Sequence, residues 1–318
     1  MSYPSISVIM SVYKEPVEWL KQSIDSILQQ TFKDFEFIII CDNPAYIQGI
    51  ALLKDYSKKD NRIHLLFNEN NIGLTKCLNK GIAIARGEFI ARMDADDISD
   101  PIRFDKQITF LKAHPEVGVC GSIIEYIGER KGLKLYPEKY EDMYLFLESP
   151  FAHPTVMIRK EVLPLPKCYD EGFLVSQDYA LWTELYAKGV LFYNFPIPLL
   201  HYRVSGQQIM ANKNSVQHEL SCIIRRRAFD YYNEKHDNDY RIGGKEITLP
   251  EIDLVRREVS LPTNVKKLLL YYLYISTSEG LIRKLYHLVK SGDLFRLSFM
   301  NNLRIIKYQL CGLDASKF

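Results

Sequence analysis

The stretch Glu88-Phe-Ile-Ala-Arg-Met-Asp-Ala-Asp-Asp97 joins two kinds of sequence. Its first six residues predict a strand, and its last four place three acidic side chains directly after that strand. In open α/β sheets, ligands bind at the carboxyl ends of the strands. The stretch therefore predicts a strand inside a sheet and a polar site at one end of it.

Strand and helix patterns alternate on the amino-terminal side of this stretch. Ile6–Val12 is a continuous apolar run of the kind found in strands buried on both faces, and Phe35–Cys41 and Ile63–Phe67 repeat the strand pattern. Helical spacing of apolar residues fills the intervals, and polar residues follow each strand. This β-α-β alternation predicts a Rossmann-like, mostly parallel sheet flanked by helices.

The alternation continues on the carboxyl-terminal side. Asp100-Pro101 is a favourable N-cap and first-turn pair, so a helix is predicted to begin there. The further predicted elements are a helix over 101–113, a strand over 117–124, a helix over 138–148, a strand over 155–158, a helix over 179–188 and an extended segment over 199–204.

Composition excludes several classes of protein. Of the 318 residues, 47% are hydrophobic and 25% are charged, which are ordinary values for a globular protein. The net charge of +2 gives no support for nucleic-acid binding. Six cysteines occur without CxxC pairs, no signal-peptide pattern is present, and the longest apolar run, Leu268–Ile275, is too short to span a membrane. These features predict a cytoplasmic protein with reduced, buried thiols.

Four carboxylates lie within seven positions at Asp94, Asp96, Asp97 and Asp100. They would repel one another unless a positive charge lay among them, and Mg²⁺ or Mn²⁺ is a hard cation that takes carboxylate and phosphate oxygens. Such a cation stabilises the charge that develops on a departing diphosphate. The alternative is that Asp97 and Asp100 are helix caps.

Several motifs occur in the same order as in a known family. They are Ser5–Tyr13, the helix Ser23–Phe32, Asn71-Ile-Gly-Leu74, Gly87-Glu-Phe-Ile90 and Met93-Asp-Ala-Asp-Asp97. Over about residues 5–204 the chain closely resembles the family-2 glycosyltransferases with the GT-A fold. The resemblance implies an inverting, metal-dependent transferase, either a hexosyl- or an N-acetylhexosaminyltransferase. By resemblance it uses a UDP-sugar and Mn²⁺ or Mg²⁺.

The resemblance implies a set of donor-side residues. Tyr13 and Glu15 would line the nucleoside pocket, and Asp42 would bind the edge of the nucleobase. The remaining donor-side residues would be Asn71 and Gly73 beside the donor, Asp94 at the ribose and the metal, Asp96 at the metal, and Arg203 at the diphosphate.

The resemblance also implies an acceptor side. Asp178, at the start of a helix, would be the general base that takes the proton of the acceptor hydroxyl. Many relatives have Glu-Asp at this point, whereas this chain has Gln177-Asp178. His153 and Trp182 would lie near the acceptor, although His153 is equally compatible with a structural role.

The resemblance divides the chain into a GT-A catalytic domain over 1–211 and a helical carboxyl-terminal appendage over 212–318. Within the domain, about 1–100 would bind the nucleotide and 101–211 the acceptor. Residues 256–318 carry eleven Lys and Arg against four Asp and Glu. These basic amphipathic helices either cover the catalytic domain or dock on the anionic inner face of the cell membrane.

By resemblance, the acceptor is a saccharide or a lipid-linked oligosaccharide of a bacterial capsule, O-antigen or lipooligosaccharide. A sugar nucleotidyltransferase is the nearest enzymatic rival, but it would need a Gly-rich loop after the first strand, where Ser11–Glu15 has no glycine. A phosphatase would place its DxD motif after an early strand. A non-catalytic binding protein on the same fold is the remaining alternative.

Overall fold

The computed structural model describes residues 3–138 and 149–205, together with nine helical positions between 220 and 234. The chain forms two compact units, one of Met1–Glu141 with Ser149–Gln208 and one of Asp142–Glu148 with Ile209–Phe318. Two predicted elements lie almost entirely outside the described residues: the helix over 138–148, of which only residue 138 is described, and the helical appendage over 212–318. All elements given below belong to the first unit.

The described strands form one mixed sheet in the order β3-β2-β1-β4-β8-β6-β9-β5, with β7 paired to β6. β1 to β4 pair in parallel, as the alternation predicted, whereas β8 is antiparallel to both of its neighbours. The strands are β1 (Ile6–Val12), β2 (Phe35–Cys41), β3 (Ile63–Phe67), β4 (Phe89–Asp94), β5 (Ile98–Ser99), β6 (Val117–Gly128), β7 (Gly132–Lys134), β8 (Met157–Arg159) and β9 (Leu191–Val204).

Five α-helices and two single 3-10 turns accompany these strands within residues 3–138 and 149–205. Apolar side chains of the first helix, such as Leu20, Ile24 and Ile27, are fully buried against the sheet. The helices are α1 (Val17–Leu28), α2 (Ile47–Lys59), α3 (Leu74–Ile84), α4 (Arg103–Ala113) and α5 (Gln177–Ala187), and the turns are His153–Thr155 and Lys160–Val162.

Several predicted boundaries were wrong, and the structure explains three of them. α4 begins at Arg103, and Asp100 instead accepts a hydrogen bond from the Ile102 amide at 3.0 Å in the turn before the helix. β8 begins two residues later than predicted, because Pro154 lies in a 3-10 turn. β9 is much longer than predicted, since pairing with β6 along its length holds Pro196 and Pro198 in an extended strand.

The core lies between the sheet and the helices. β1 and β2 are buried along almost their entire length, which explains their continuous apolar sequences. The four cysteines of the described residues are free and buried, at Cys41, Cys77, Cys120 and Cys168. No helix of the described segments is both long enough and apolar enough to cross a membrane.

Candidate active site

The acidic stretch lies where β4 ends. Asp94 is the last residue of the strand, and the Ser23 hydroxyl of α1 donates a hydrogen bond to its backbone carbonyl at 2.7 Å. The guanidinium of Arg92 forms an ion pair with the Asp94 carboxylate, which is 31% exposed. Ala95 is buried, so the chain turns inward between the two aspartates of the DxD motif. Asp94 is thereby fixed through its backbone and through its side chain.

The next two aspartates contact the end of β9. The Arg203 amide donates to Asp97 Oδ1 at 2.8 Å, and Arg203 Nε donates to the Asp96 carbonyl at 2.8 Å. Asp97 is only 1% exposed, and its Oδ2 has no hydrogen-bond partner within the described part of the chain. Burial raises the pKa of Asp97, and the charges of Asp96 and Asp94 raise it further. Asp97 therefore ties the acidic loop to the sheet.

Glu15 approaches the same acidic loop from the end of β1. Its carboxylate accepts a hydrogen bond from the Tyr13 amide at 2.9 Å, and the Tyr46 hydroxyl donates to its carbonyl. Burial raises the pKa of Glu15, and Asp96 and Asp94 raise it further despite the backbone hydrogen bonds. Tyr13 is half-buried and adjacent. The structure thus brings the predicted residues at the ends of β1 and β4 together.

Asp42 organises the loop before α3. Its Oδ1 accepts hydrogen bonds from the Asn68 side chain at 2.8 Å and from the Ile72 amide at 2.9 Å, and its Oδ2 accepts one from the Gly73 amide at 2.8 Å. Asn71 Oδ1 also accepts from the Gly73 amide, at 3.0 Å. Asp42 is buried, so its carboxylate primarily shapes the loop that carries Asn71 and Gly73.

Asp178 lies in the first turn of α5, behind Ser176, which adopts a left-handed conformation with φ of 59°. Burial raises the pKa of Asp178, while the amides of Tyr179 and of Asp178 itself lower it. Two charges from β4 also act on this carboxyl: Asp94 raises its pKa and Arg92 lowers it. Asp178 is therefore within electrostatic reach of the DxD strand, although the two are far apart in sequence.

His153 and Tyr169 form a hydrogen-bonded pair beside Asp178. His153 Nε2 and the Tyr169 hydroxyl are 2.8 Å apart, and their rings meet edge to face at 5.5 Å. Burial lowers the pKa of His153, and Arg92 lowers it further, so the imidazole is neutral. The side chain of Asn79 clamps Tyr169 by accepting from its amide and donating to its carbonyl, each at 2.8 Å. α3 thereby holds this pair in place.

The remaining predicted residues have mainly internal contacts. Trp182 is 0% exposed and packs against Phe151 at 5.2 Å and His153 at 6.1 Å, so its ring offers no surface to an acceptor in this conformation. Gln177 is buried at the start of α5. Arg203 also donates to Gln22 Oε1 at 2.7 Å and lies 5.0 Å from the Trp19 ring.

This geometry agrees with the comparisons with known proteins. The model of glycosyl transferase family 2 matches residues 7–164. An uncharacterized glycosyltransferase of Methanocaldococcus jannaschii is 36% identical over 241 residues, covering 74% of this chain and 80% of that protein. The chain belongs to glycosyltransferase family 2.

A further relative and a solved structure extend the comparison. An O-antigen biosynthesis glycosyltransferase of Escherichia coli is 35% identical over 209 residues, which cover 64% of this chain and 80% of that protein. S. aureus TarS 1-349, solved with UDP-GlcNAc, superposes with a TM-score of 0.61 at 16% identity and covers 97% of this chain and 92% of that chain. The second likeness concerns the fold, and it confirms the predicted GT-A architecture.

A divalent cation would fit this family-2 glycosyltransferase if protein carboxylates and the phosphates of the substrate held it together. Among the described residues, no three His, Cys, Asp or Glu side chains come close enough to hold a cation by themselves. Mg²⁺ is commonly bound by one or two carboxylates together with substrate phosphates. Burial is the main reason why the pKa of Glu15 is raised, and the charges of Asp96 and Asp94 raise it further, so a positive ligand is favoured there. Asp94 and Asp96 therefore suit a cation that also contacts a diphosphate.

Two residues of the transferase site were absent from the sequence-based prediction. Arg92 is 3% exposed and pairs with Asp94, and a charged residue inside a buried strand was a signal that could have identified it. Tyr169 is buried and bonded to His153, but it lies in a segment without regular structure. No local pattern marks Tyr169, since its role depends on contacts with α3 and with His153.

Proposed function

We propose that this family-2 glycosyltransferase inverts the configuration of the sugar that it transfers from a UDP-sugar to a hydroxyl of a saccharide acceptor. The observation that carries the proposal is the placement of Asp178, whose pKa is influenced by both Asp94 and Arg92 of β4. A direct displacement requires a carboxylate that can take the proton of the acceptor hydroxyl near the donor motif.

The donor is assigned to the carboxyl ends of β1, β2 and β4. Tyr13 and Glu15 line the nucleoside side, and the Asp42 network positions Asn71 and Gly73 at the same edge. Asp94 and Asp96 would hold Mn²⁺ or Mg²⁺ in contact with the diphosphate. When bound, the cation would stabilise the negative charge of the departing UDP. Arg203 adds positive charge at this loop.

The transfer step assigns one proton to Asp178. As the acceptor oxygen attacks the anomeric carbon, its O–H bond breaks and the proton moves to the Asp178 carboxylate. The new C–O bond forms opposite the bond to the diphosphate, which breaks and releases UDP. A raised pKa makes the ionised carboxylate a stronger base, which favours proton removal near neutral pH. Neutral His153 would contact the acceptor rather than carry charge.

The choice of UDP and of a saccharide acceptor is supported by the relatives. TarS was solved with UDP-GlcNAc, and the Escherichia coli relative is named for O-antigen biosynthesis. We therefore assign the acceptor to surface polysaccharide, free or lipid-linked, and place the reaction at the cytoplasmic side of the membrane. The polar segment Tyr13-Lys-Glu15 after β1 disfavours a nucleotidyltransferase, which needs a Gly-rich triphosphate loop.

A donor screen tests the proposal. The intact chain and Asp96→Ala would be incubated with UDP-sugars and GDP-sugars, with and without MnCl₂, and nucleotide release and thermal shifts recorded. We expect UDP to bind only with the metal, UDP release from one UDP-sugar, and loss of both in Asp96→Ala. The anomeric configuration of the product, read by NMR, must be opposite to that of the donor. Release of GDP alone, or a retained configuration, would refute the corresponding part of the proposal.

A further inference from the structure

Arg92 places a positive charge inside the sheet directly below the donor motif. It lies on β4 two residues before Asp94, and residues two apart on a strand point to the same face. Its guanidinium is paired with Asp94 and contacts the Met93 carbonyl, while its Nε has no hydrogen-bond partner among the described residues. Asp94 is thus the one carboxylate that forms an ion pair with Arg92 in that part of the chain.

The same residue adjoins the acceptor side through its backbone. The Arg92 amide donates to the Val156 carbonyl at 3.0 Å, which fixes β4 next to the turn His153–Thr155. The His153 ring in that turn bonds Tyr169 and packs against Trp182 of α5. α5 begins with the turn that carries Asp178. The backbone of Arg92 is therefore linked, through Val156 and this turn, to the acceptor-side residues His153 and Trp182.

Electrostatics agrees with this placement. After the effect of burial, Arg92 lowers the pKa of His153 and the pKa of Tyr169, and it also acts on Asp178. The charge of Arg92 therefore acts on these three acceptor-side groups, while its ion pair with Asp94 lies on the donor side.

Arg159, another buried arginine, differs from Arg92 in its hydrogen-bond and ion-pair partners. Arg159 is largely buried at the opposite end of the same strand pair, in register with Phe89. It donates to the Leu111 carbonyl at 2.7 Å, and it pairs with the carboxylates of Glu161 at 3.6 Å and Glu88 at 3.8 Å. These contacts join the end of β8 to α4 and to neighbouring carboxylates. Arg159 therefore offers a matched control for the burial of a guanidinium without contact with the transfer site.

We propose that Arg92 is a positioning residue shared by the donor and acceptor sides: it orients the Asp94 carboxylate, and its positive charge acts on the acceptor-side groups, Asp178 among them. This inference rests on the proposed function for the roles of Asp94 and Asp178. It predicts that loss of the guanidinium affects donor affinity and transfer together, since both sides depend on one group.

The test compares Arg92→Met and Arg92→Lys with Arg159→Met and Arg159→Lys. For each variant, the donor KM, the kcat with saturating acceptor, the affinity for UDP with MnCl₂ and the melting temperature would be measured. We expect Arg92→Met to raise the donor KM and lower kcat, with a combined loss of about 10–100-fold, as for other residues that orient a ligand-binding carboxylate. The Arg159 variants should lose melting temperature with both kinetic constants within about twofold of wild type.

Arg92→Lys keeps the charge but loses the planar fork, so it should recover most of kcat while the donor KM stays high. If Arg92→Met does not fold, Arg92→Lys alone tests the inference: a kcat near that of wild type together with a raised donor KM would support it. Kinetic constants of the Arg92 variants equal to those of the Arg159 variants would overturn the inference. Wild-type enzyme without turnover of any donor would instead refute the proposed function, so the two failures are distinguishable.

Discussion

Buried carboxylates at the two ends of the sheet differ in how many hydrogen bonds and ion pairs compensate their charge. At the amino-terminal end, Glu36 of β2 is 4% exposed and accepts hydrogen bonds from the Ser7 hydroxyl and the Arg86 amide, each at 2.7 Å. Arg86 also forms an ion pair with Glu36 at 2.6 Å. At the carboxyl-terminal end, Asp97 is as deeply buried but has one hydrogen bond and one oxygen without a partner among the described residues.

The pKa directions record this difference. Burial raises the pKa of Glu36, but the hydrogen bonds from Ser7 and Arg86 outweigh that effect, so its pKa is lowered. The pKa values of Glu15, Asp97 and Asp178 are all raised. Charge is therefore compensated internally at one end of the sheet, whereas the other end keeps excess negative charge that a ligand can compensate.

The largest effect is expected at the carboxyl-terminal end, from Asp178→Asn. Loss of the general base should lower kcat by about 10²–10⁴-fold while UDP affinity is retained. Because the pKa of Asp178 is raised on folding, the ionised group lowers stability near neutral pH, so the melting temperature should stay equal or rise. Steady-state kinetics, calorimetry with UDP and thermal unfolding without added metal would measure these quantities.

Glu184→Gln is the matched control on the same helix. Glu184 is exposed and pairs with Lys188 at 2.8 Å, so both kcat and stability should change little. An equal loss of kcat in the two variants would show that α5 as an element, rather than the Asp178 carboxylate, supports transfer.

An intermediate effect is expected at the amino-terminal end, from Glu36→Gln. It should lower the free energy of unfolding by about 2–3 kcal/mol at neutral pH, because charged hydrogen bonds to Ser7 and Arg86 are weakened. Since the folded pKa of Glu36 is depressed, its contribution is full above the ordinary value of 4.5 and disappears as pH falls through the folded pKa.

Denaturant unfolding of wild type and Glu36→Gln between pH 3 and pH 7 would follow this contribution. The two curves should converge at the acidic end, and the kcat of the variant should match wild type at pH 7. A difference in stability that is independent of pH would contradict the assignment of Glu36 as the source of the effect.

The smallest effect is expected from Gly73→Ala. Gly73 has φ of 84° with open space where a Cβ would lie, so alanine should cost about 1 kcal/mol through backbone strain alone. Because the Gly73 amide donates to Asp42, the strain should also weaken UDP binding. Thermal unfolding and UDP calorimetry would measure the two consequences.

Gly189→Ala is the control at the opposite end of the sheet. Gly189 has φ of 78° and open space as well, but it lies between α5 and the start of β9. It should lose similar stability with unchanged UDP affinity. Equal loss of UDP affinity in both variants would contradict the assignment of UDP binding to the end of the sheet that carries Gly73.

Much of the architecture was predictable because its signals are local. The apolar runs at β1 and β2 follow from burial on both faces, and the acidic residues after β4 follow from the rule that ligands bind at strand ends. The antiparallel insertion of β8 and the full length of β9 were not predictable, since pairing partners far away in sequence determine them.

The candidate site likewise has features that local sequence predicts and features that only distant contacts determine. The sequence by itself determined which carboxylates are present, that Asp94 to Asp97 end a strand and that Asp178 begins a helix, because these depend on periodicity within a few residues. Tertiary structure alone decided that the charge of Asp94 acts on Asp178, that Arg92 pairs with Asp94, and that Trp182 is enclosed. The physical reason is that a charge or ring acts over a few ångströms of space, and strand order and helix packing determine which residues share that space.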